Sequence, residues 1–206
     1  EWGSEGASVA GGSFGAAPLF AGTLLITALA LLISIPLGVL SAVYMRYFVR
    51  DSIRQFLKPI LEVLAGIPTV VYGFFAIILI SPMIRDFGLQ IGLEVSTESA
   101  LAAGVVMGIM ILPYVSSMVD DVFASLPESL LQGALAMGAT LSEAITTVIL
   151  PASRSGIIAA SLLSMSRAIG ETAPLVVVGA STYITYDPDG PFSKFTVLPI
   201  QIYQWT

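Results

Sequence analysis

Cysteine and histidine are both missing from this sequence of 206 residues. Without cysteine there is no disulfide framework and no thiol nucleophile, and without histidine as well the chain lacks the usual ligands of transition-metal sites. We therefore predict no metal site. Charged residues are scarce too, at 11% of the sequence, and acidic residues outnumber basic ones by 14 to 8. That balance argues against a nucleic-acid-binding protein, and so few charges do not suit the surface of a soluble protein.

The sequence is rich in long apolar runs, and 56% of its residues are hydrophobic. A bilayer core about 30 Å thick requires roughly 20 mostly apolar residues per helix. The runs predict an all-α, polytopic transmembrane helix bundle that forms one domain over residues 1–206. Because the chain begins at Glu1 and not at a Met, we expect it to be trimmed at both ends, with flanking helices missing. The membrane segments are predicted at residues 18–45, 59–83, 98–119 and 154–180.

Positive charge is concentrated between the first and second segments, where Arg46, Arg50, Arg54 and Lys58 make up half of the basic residues. By the positive-inside rule this stretch is cytoplasmic. The third segment then returns the chain to the same side, which makes residues 120–153 a cytoplasmic loop as well.

Three acidic residues near these segment ends have simple interpretations. Glu62 stands four residues after Lys58, and we expect the two to pair at the membrane interface. Asp120 and Asp121 begin the second cytoplasmic stretch and are predicted to be solvated charges at a helix end. Contact of these two acids with a partner protein is the alternative.

Two prolines, Pro68 and Pro113, stand inside apolar segments. Proline removes a backbone donor, so each can kink a helix to suit its packing. The alternative is an opened helix whose freed carbonyl groups line a translocation path.

The second cytoplasmic stretch contains a predicted helix, turn and helix. Pro127 suits the start of a helix, Gly138 permits a sharp change of direction, and a second amphipathic turn runs from Glu143 to Pro151. The plain structural interpretation is a surface helix that lies on the lipid headgroups.

This stretch resembles the cytoplasmic loop of ABC importer permeases, whose pattern is E-A-A, three residues, G, nine residues, then I-x-L-P. Gly138 and residues 148–151 fall in register, whereas Gln132 and Gly133 replace the Glu and the first Ala of the pattern. The resemblance implies the type I importer fold, with a cytoplasmic coupling helix that docks into a cleft on a separate ATPase subunit. The residues that it assigns to coupling are Gln132, Gly133, Ala134, Gly138, Leu150 and Pro151.

A charged pair stands inside the fourth predicted segment. Arg167 and Glu171 are four residues apart, so on a helix they share a face and can pair. Charges within a membrane segment are costly and face the interior of the bundle or a wet cavity. One interpretation is an ion pair that fixes helix packing; the other is a lining group of an anion path, because the planar fork of an arginine suits an oxyanion.

The sequence around this pair, and a second segment earlier in the chain, resemble the permease subunits of the phosphate-specific ABC transporter. Residues 167–172 match their R-A-x-G-E-T signature, and residues 65–73 resemble their A-G-I-P-S-V-V-Y-G segment, with Thr69 in place of the Ser. Residues 195–205 look like the PstA type of subunit and residues 14–18 like the PstC type, so both types stay open. The substrate-path residues that the resemblance implies are Arg167, Glu171, Thr172 and Tyr72.

The resemblance also implies what surrounds the chain. It would form half of the path of an ATP-driven inorganic phosphate importer in the plasma (inner) membrane of a bacterium or archaeon. Expected partners are a second phosphate permease subunit in a heterodimer, ATP-binding subunits, an extracytoplasmic phosphate-binding protein, the phosphate ion and membrane lipid.

The chain itself is not expected to be an enzyme or to bind a cofactor. A P-loop needs Gly-Lys followed by Ser or Thr, and neither Lys58 nor Lys194 follows a glycine. ATP and Mg would be used by the partner ATPase. The alternatives are a permease for another oxyanion (molybdate, sulfate or phosphonate), an ion-coupled carrier, and a structural membrane scaffold.

Overall fold

The computed structural model describes residues 17–90, 92, 99–171, 175 and 197. Helices account for nearly all of these residues, which confirms the all-α prediction. In chain order they are α1 (Ala17–Tyr47), α2 (Asp51–Ala65), α3 (Thr69–Phe75), α4 (Ser81–Gln90), α5 (Ala100–Ser125), α6 (Glu128–Ala136), α7 (Leu141–Ala144) and α8 (Leu150–Gly170).

Two π-helical segments interrupt the regular helices, Ala76–Ile80 between α3 and α4 and Ile145–Ile149 between α7 and α8. Each ends two residues before a proline, Pro82 in α4 and Pro151 in α8. A proline ring clashes with the carbonyl four residues earlier in a regular helix, and it has no N–H to donate. The wider π turn relieves that clash, so each helix continues past its proline.

Four helical stretches of the described chain are long and apolar enough to cross a membrane. Several boundaries differ from those predicted from the sequence, most of all the starts of the second and fourth stretches. The second stretch begins at Thr69 and not near residue 59, and the fourth begins at Leu141, inside the loop predicted over residues 120–153. The stretches are Leu19–Tyr47, Thr69–Gln90, Ala100–Ser125 and Leu141–Gly170.

The second membrane stretch begins later than predicted because the helix breaks at Gly66, Ile67 and Pro68. Upstream of this break, α2 is a separate amphipathic helix, with its apolar residues on one side and its charged residues on another. Downstream, Pro68 precedes the first residue of α3. Pro113, in contrast, lies inside the continuous helix α5, so only the first of the two predicted proline positions opens a helix.

The chain divides into two compact units. The first contains the described residues of Glu1–Ala30, Pro68–Gly108 and Arg167–Thr206, and the second those of Leu31–Ile67 and Ile109–Ser166. In each unit α1 packs closely on α5 at a glycine: Gly104 of α5 faces Leu29 in the first, and Gly38 of α1 faces Val115 in the second. Small residues at such contacts are what allow two membrane helices to approach each other closely.

The contact at Gly38 leads to a prediction about stability. A Cβ atom added at Gly38 would lie 2.6 Å from Cγ1 of Val115, a stiff β-branched side chain in a helix. We expect Gly38→Ala to destabilise the protein by about 1–3 kcal/mol, as overpacking does. Gly133→Ala is the matched control, because a Cβ atom there meets nothing within 4 Å. Thermal unfolding of both variants in detergent measures the difference, and equal stability would contradict the close contact.

Candidate functional site

Helix α6 presents apolar side chains outward. None of its residues is buried, and Leu130 and Leu135 are both exposed. Met137, which caps the C-terminus of the helix, is 89% exposed. A short apolar surface of this kind is typical of a place where another protein binds.

Gly138 gives α6 its abrupt end. Its φ of +91° lies in the left-handed region, which glycine adopts without a steric penalty. The N–H of Gly138 donates to the carbonyl of Leu135 at 3.0 Å, and that of Ala139 donates to the carbonyl of Ala134 at 3.2 Å. These two bonds form a Schellman motif, which satisfies carbonyls that a helix end would otherwise leave without partners.

The next helix begins at once with a capping box. Thr140 accepts a hydrogen bond from the N–H of Glu143, and the N–H of Thr140 donates to Oε2 of Glu143 at 2.8 Å. The reciprocal bonds fix the start of α7. Downstream, Ala144, Ile145 and Ile149 are buried. The turn therefore joins an exposed helix, α6, to a helix that is packed into the second unit.

The residues predicted to couple to an ATPase are distributed along this segment. Gln132 and Gly133 are exposed on α6, Ala134 is half-buried there, and Gly138 forms the turn. Leu150 and Pro151 are the first two residues of α8. The predicted turn at Gly138 is thus present, while the coupling role of these residues stays a prediction.

A second cluster was missed by the sequence analysis. Asp120 was expected to be solvated, but its side chain is only 3% exposed and accepts two hydrogen bonds of 3.0 Å from Nη2 of Arg54. Lys58 was expected to pair with Glu62, but its Nζ lies 3.3 Å from Asp120 and 3.1 Å from Asp121. The hydrogen bond to Asp121 raises the pKa of Lys58, which keeps the ammonium charged.

One signal in the sequence does point to this cluster. Arg54 and Lys58 are four residues apart and share a face of α2, and Asp120 directly follows the apolar run of α5. The ion pairs join residues that are 62 to 66 positions apart in the sequence. They bring the basic stretch and the end of α5 to the same end of the second unit, as the positive-inside argument requires.

The predicted substrate-path residues lie in the first unit. Arg167 is half-buried in the last turn of α8 and interacts electrostatically with Tyr72, which is half-buried in α3. Glu171 is the first residue beyond α8, and its N–H donates to the carbonyl of Ala168 at 3.4 Å. The face that Arg167 and Glu171 were predicted to share therefore falls at a helix end. Thr172 lies outside the described residues.

Comparison with known proteins gives one family match. The family described as "Binding-protein-dependent transport system inner membrane component" matches residues 34–189. Among solved structures, a chain of the methionine ABC transporter MetNI, in an inward-facing conformation, has a TM-score of 0.54. The two chains are 21% identical, and the match covers 76% of this chain and 68% of that one. The similarity shows that this chain has the same fold, as the resemblance to ABC importer permeases implied.

Individual relatives are also similar over most of this chain. The probable ABC transporter permease protein YqgH of Bacillus subtilis is 36% identical over 87% of this chain and 56% of its own length. The probable phosphate transport system permease protein PstA of Methanocaldococcus jannaschii is 31% identical over 92% of this chain and 63% of its own length. The phosphate transport system permease protein PstC of Haemophilus influenzae is 29% identical over 89% of this chain and 62% of its own length. The chain thus spans less than two thirds of the length of these relatives.

Proposed function

Because this chain belongs to the family of binding-protein-dependent transport system inner membrane components, we propose that it is a permease subunit of an ATP-driven importer of inorganic phosphate. In this proposal the chain forms half of the translocation path and hydrolyses no ATP itself. Relatives of both the PstA and the PstC type carry phosphate transport in their names, which supports this substrate.

The observation that best supports phosphate as the substrate is the position of Arg167. A guanidinium at the end of an apolar helix is costly unless it has an anionic or polar partner. Its planar fork donates two hydrogen bonds at once to an oxyanion, and the hydroxyl of Tyr72 nearby offers a third polar group. Glu171, placed just beyond the helix, would repel the anion and keep it from binding too tightly.

The exposed helix α6 supports the proposal that a partner subunit supplies the energy. Its apolar residues and the fixed turn at Gly138 would fit a cleft on an ATP-binding subunit, where that subunit uses ATP and Mg. The assembly would further contain a second, similar permease and an extracytoplasmic phosphate-binding protein. The family description and the relatives from bacteria and archaea support the plasma (inner) membrane of one of these groups as the location of the importer.

Reconstitution tests the proposal directly. The full-length protein, co-purified with its associated subunits and placed in liposomes, is expected to take up radiolabelled phosphate only when ATP and a loaded binding protein are present. Uptake of sulfate, molybdate or phosphonate in place of phosphate would assign another oxyanion. Uptake by the isolated permease down an ion gradient would identify an ion-coupled carrier, and failure of any ATP-binding subunit to co-purify would contradict the importer.

A further inference from the structure

Helix α2 has an unusual attachment to the second unit. None of its 15 residues is buried; Ile53, Phe56 and Val63 are exposed, while Leu57 and Leu61 are half-buried. Apolar burial within this chain therefore holds α2 only in part. Arg54 and Lys58 of α2 make side-chain hydrogen bonds and ion pairs with the end of α5.

The chemistry of these contacts makes them strong and directional. Both oxygens of Asp120 lie 3.0 Å from Nη2 of Arg54, and Nζ of Lys58 lies 3.3 Å from one of them. Asp120 is almost completely buried, so its charge has little access to water and depends on these two cations. Asp121, whose side chain is 66% exposed, adds a weaker outer contact to Lys58.

The position of Asp120 along the chain connects this cluster to α6. Helix α5 ends at Ser125, and only Leu126 and Pro127 separate it from α6. A force applied to α6 therefore reaches Asp120 through one turn of helix and a two-residue connection that contains a proline. From Asp120 the ion pairs lead directly to α2.

The geometry points to an ion-pair latch, formed by Arg54, Lys58 and Asp120, that makes α2 move together with α6 as one body. These are positioning residues: they touch no substrate, and they act by fixing one helix to the end of another. The coupling consequence rests on the proposed function, because α6 transmits a force only if an ATP-binding subunit is docked on it.

A distance measurement tests the latch without any transport. The 206 residues contain no cysteine, so spin labels can be attached to introduced cysteines at Gln55 of α2 and Ser129 of α6, both of which are exposed. In the full-length protein in lipid, pulsed electron paramagnetic resonance is expected to give a narrow distribution of distances. Asp120→Asn is nearly isosteric but removes the charge, and we expect it to broaden that distribution.

Two further variants serve as matched controls. Glu62→Gln makes the same chemical change at an exposed position of α2 and should leave the distribution unchanged. Asp121→Asn removes only the outer contact and should broaden it slightly. If Asp120→Asn does not fold, Arg54→Lys keeps the charge but shortens the side chain and removes the guanidinium whose Nη2 contacts both oxygens of Asp120, and an intermediate broadening is expected. A distribution as narrow in the folded Asp120 or Arg54 variant as in the unmodified protein would overturn the latch.

The assembled transporter provides the second readout. With α2 no longer fixed to α6, Asp120→Asn is expected to lower the number of phosphate ions imported per ATP hydrolysed several-fold, while binding of the ATP-binding subunit is retained. An unchanged ratio together with a broadened distribution would overturn the coupling role. If the unmodified protein imports no phosphate, the proposed function fails, and the distance measurement still decides whether the latch exists.

Discussion

Arg167→Gln is expected to abolish phosphate uptake while leaving the assembly of the transporter intact. Glutamine is close in length and polarity but has no charge and no planar fork. A hydrogen bond to a charged group contributes about 1.5–3 kcal/mol. Since about 1.4 kcal/mol corresponds to a tenfold change, loss of a two-bond contact lowers uptake by roughly a hundredfold or more. Uptake into liposomes measures the loss, and co-purification of the partner subunits measures the assembly.

Two other arginine substitutions sharpen this experiment. Arg167→Lys retains the charge without the fork and should retain a fraction of the activity. Arg85→Gln makes the same change as Arg167→Gln at an exposed residue of α4 and should leave uptake normal. Normal uptake by Arg167→Gln would remove Arg167 from the substrate path. It would favour the alternative role, in which the arginine only fixes helix packing.

Gly138→Leu should uncouple or release the ATP-binding subunit. A non-glycine residue in the left-handed region costs roughly 1–2 kcal/mol, and the chain can avoid this cost by changing the angle between α6 and α7. A docking surface that consists of two helices at a fixed angle would then no longer fit its cleft. We expect weaker co-purification of the ATP-binding subunit, by roughly 5- to 30-fold if the whole cost appears in docking.

Gly92 offers a control of the same kind for this substitution. Its φ of +75° is also positive, and a Cβ atom there also meets nothing within 4 Å. It lies between the second and third membrane stretches, on the side opposite to the predicted cytoplasmic loop. Gly92→Leu introduces similar backbone strain away from the docking surface, so co-purification should be normal. Equal losses in the two variants would show that strain alone, and not docking, explains the Gly138 result.

The sequence predicted the class of the fold because the length of an apolar run is a local property. It also located the turn at Gly138, since a glycine between two helical patterns indicates a reversal. The second boundary was wrong for a local reason as well. Residues 59–65 are apolar enough to extend a membrane run, but they form the C-terminal half of the separate amphipathic helix α2, which ends at Ala65.

The partners of Asp120 could not be predicted in the same way. An acid at the end of an apolar run is usually solvated, and its partner Arg54 lies 66 residues earlier in the sequence. Helical spacing shows which residues share a face but not which other helix that face meets. Predicting the pairing would have required the packing of α5 against its neighbours, which no motif in the sequence encodes.

The attachment of α2 by charge has a thermal consequence. The energetic penalty for removing ions from water falls as temperature rises, whereas burial of oily surface gains no comparable advantage. Warming therefore favours the Arg54–Asp120 contact. Added electrolyte weakens the outer contact of Lys58 with Asp121 more than the contact of Arg54 with Asp120, because mobile ions screen charges that water reaches more strongly than enclosed ones.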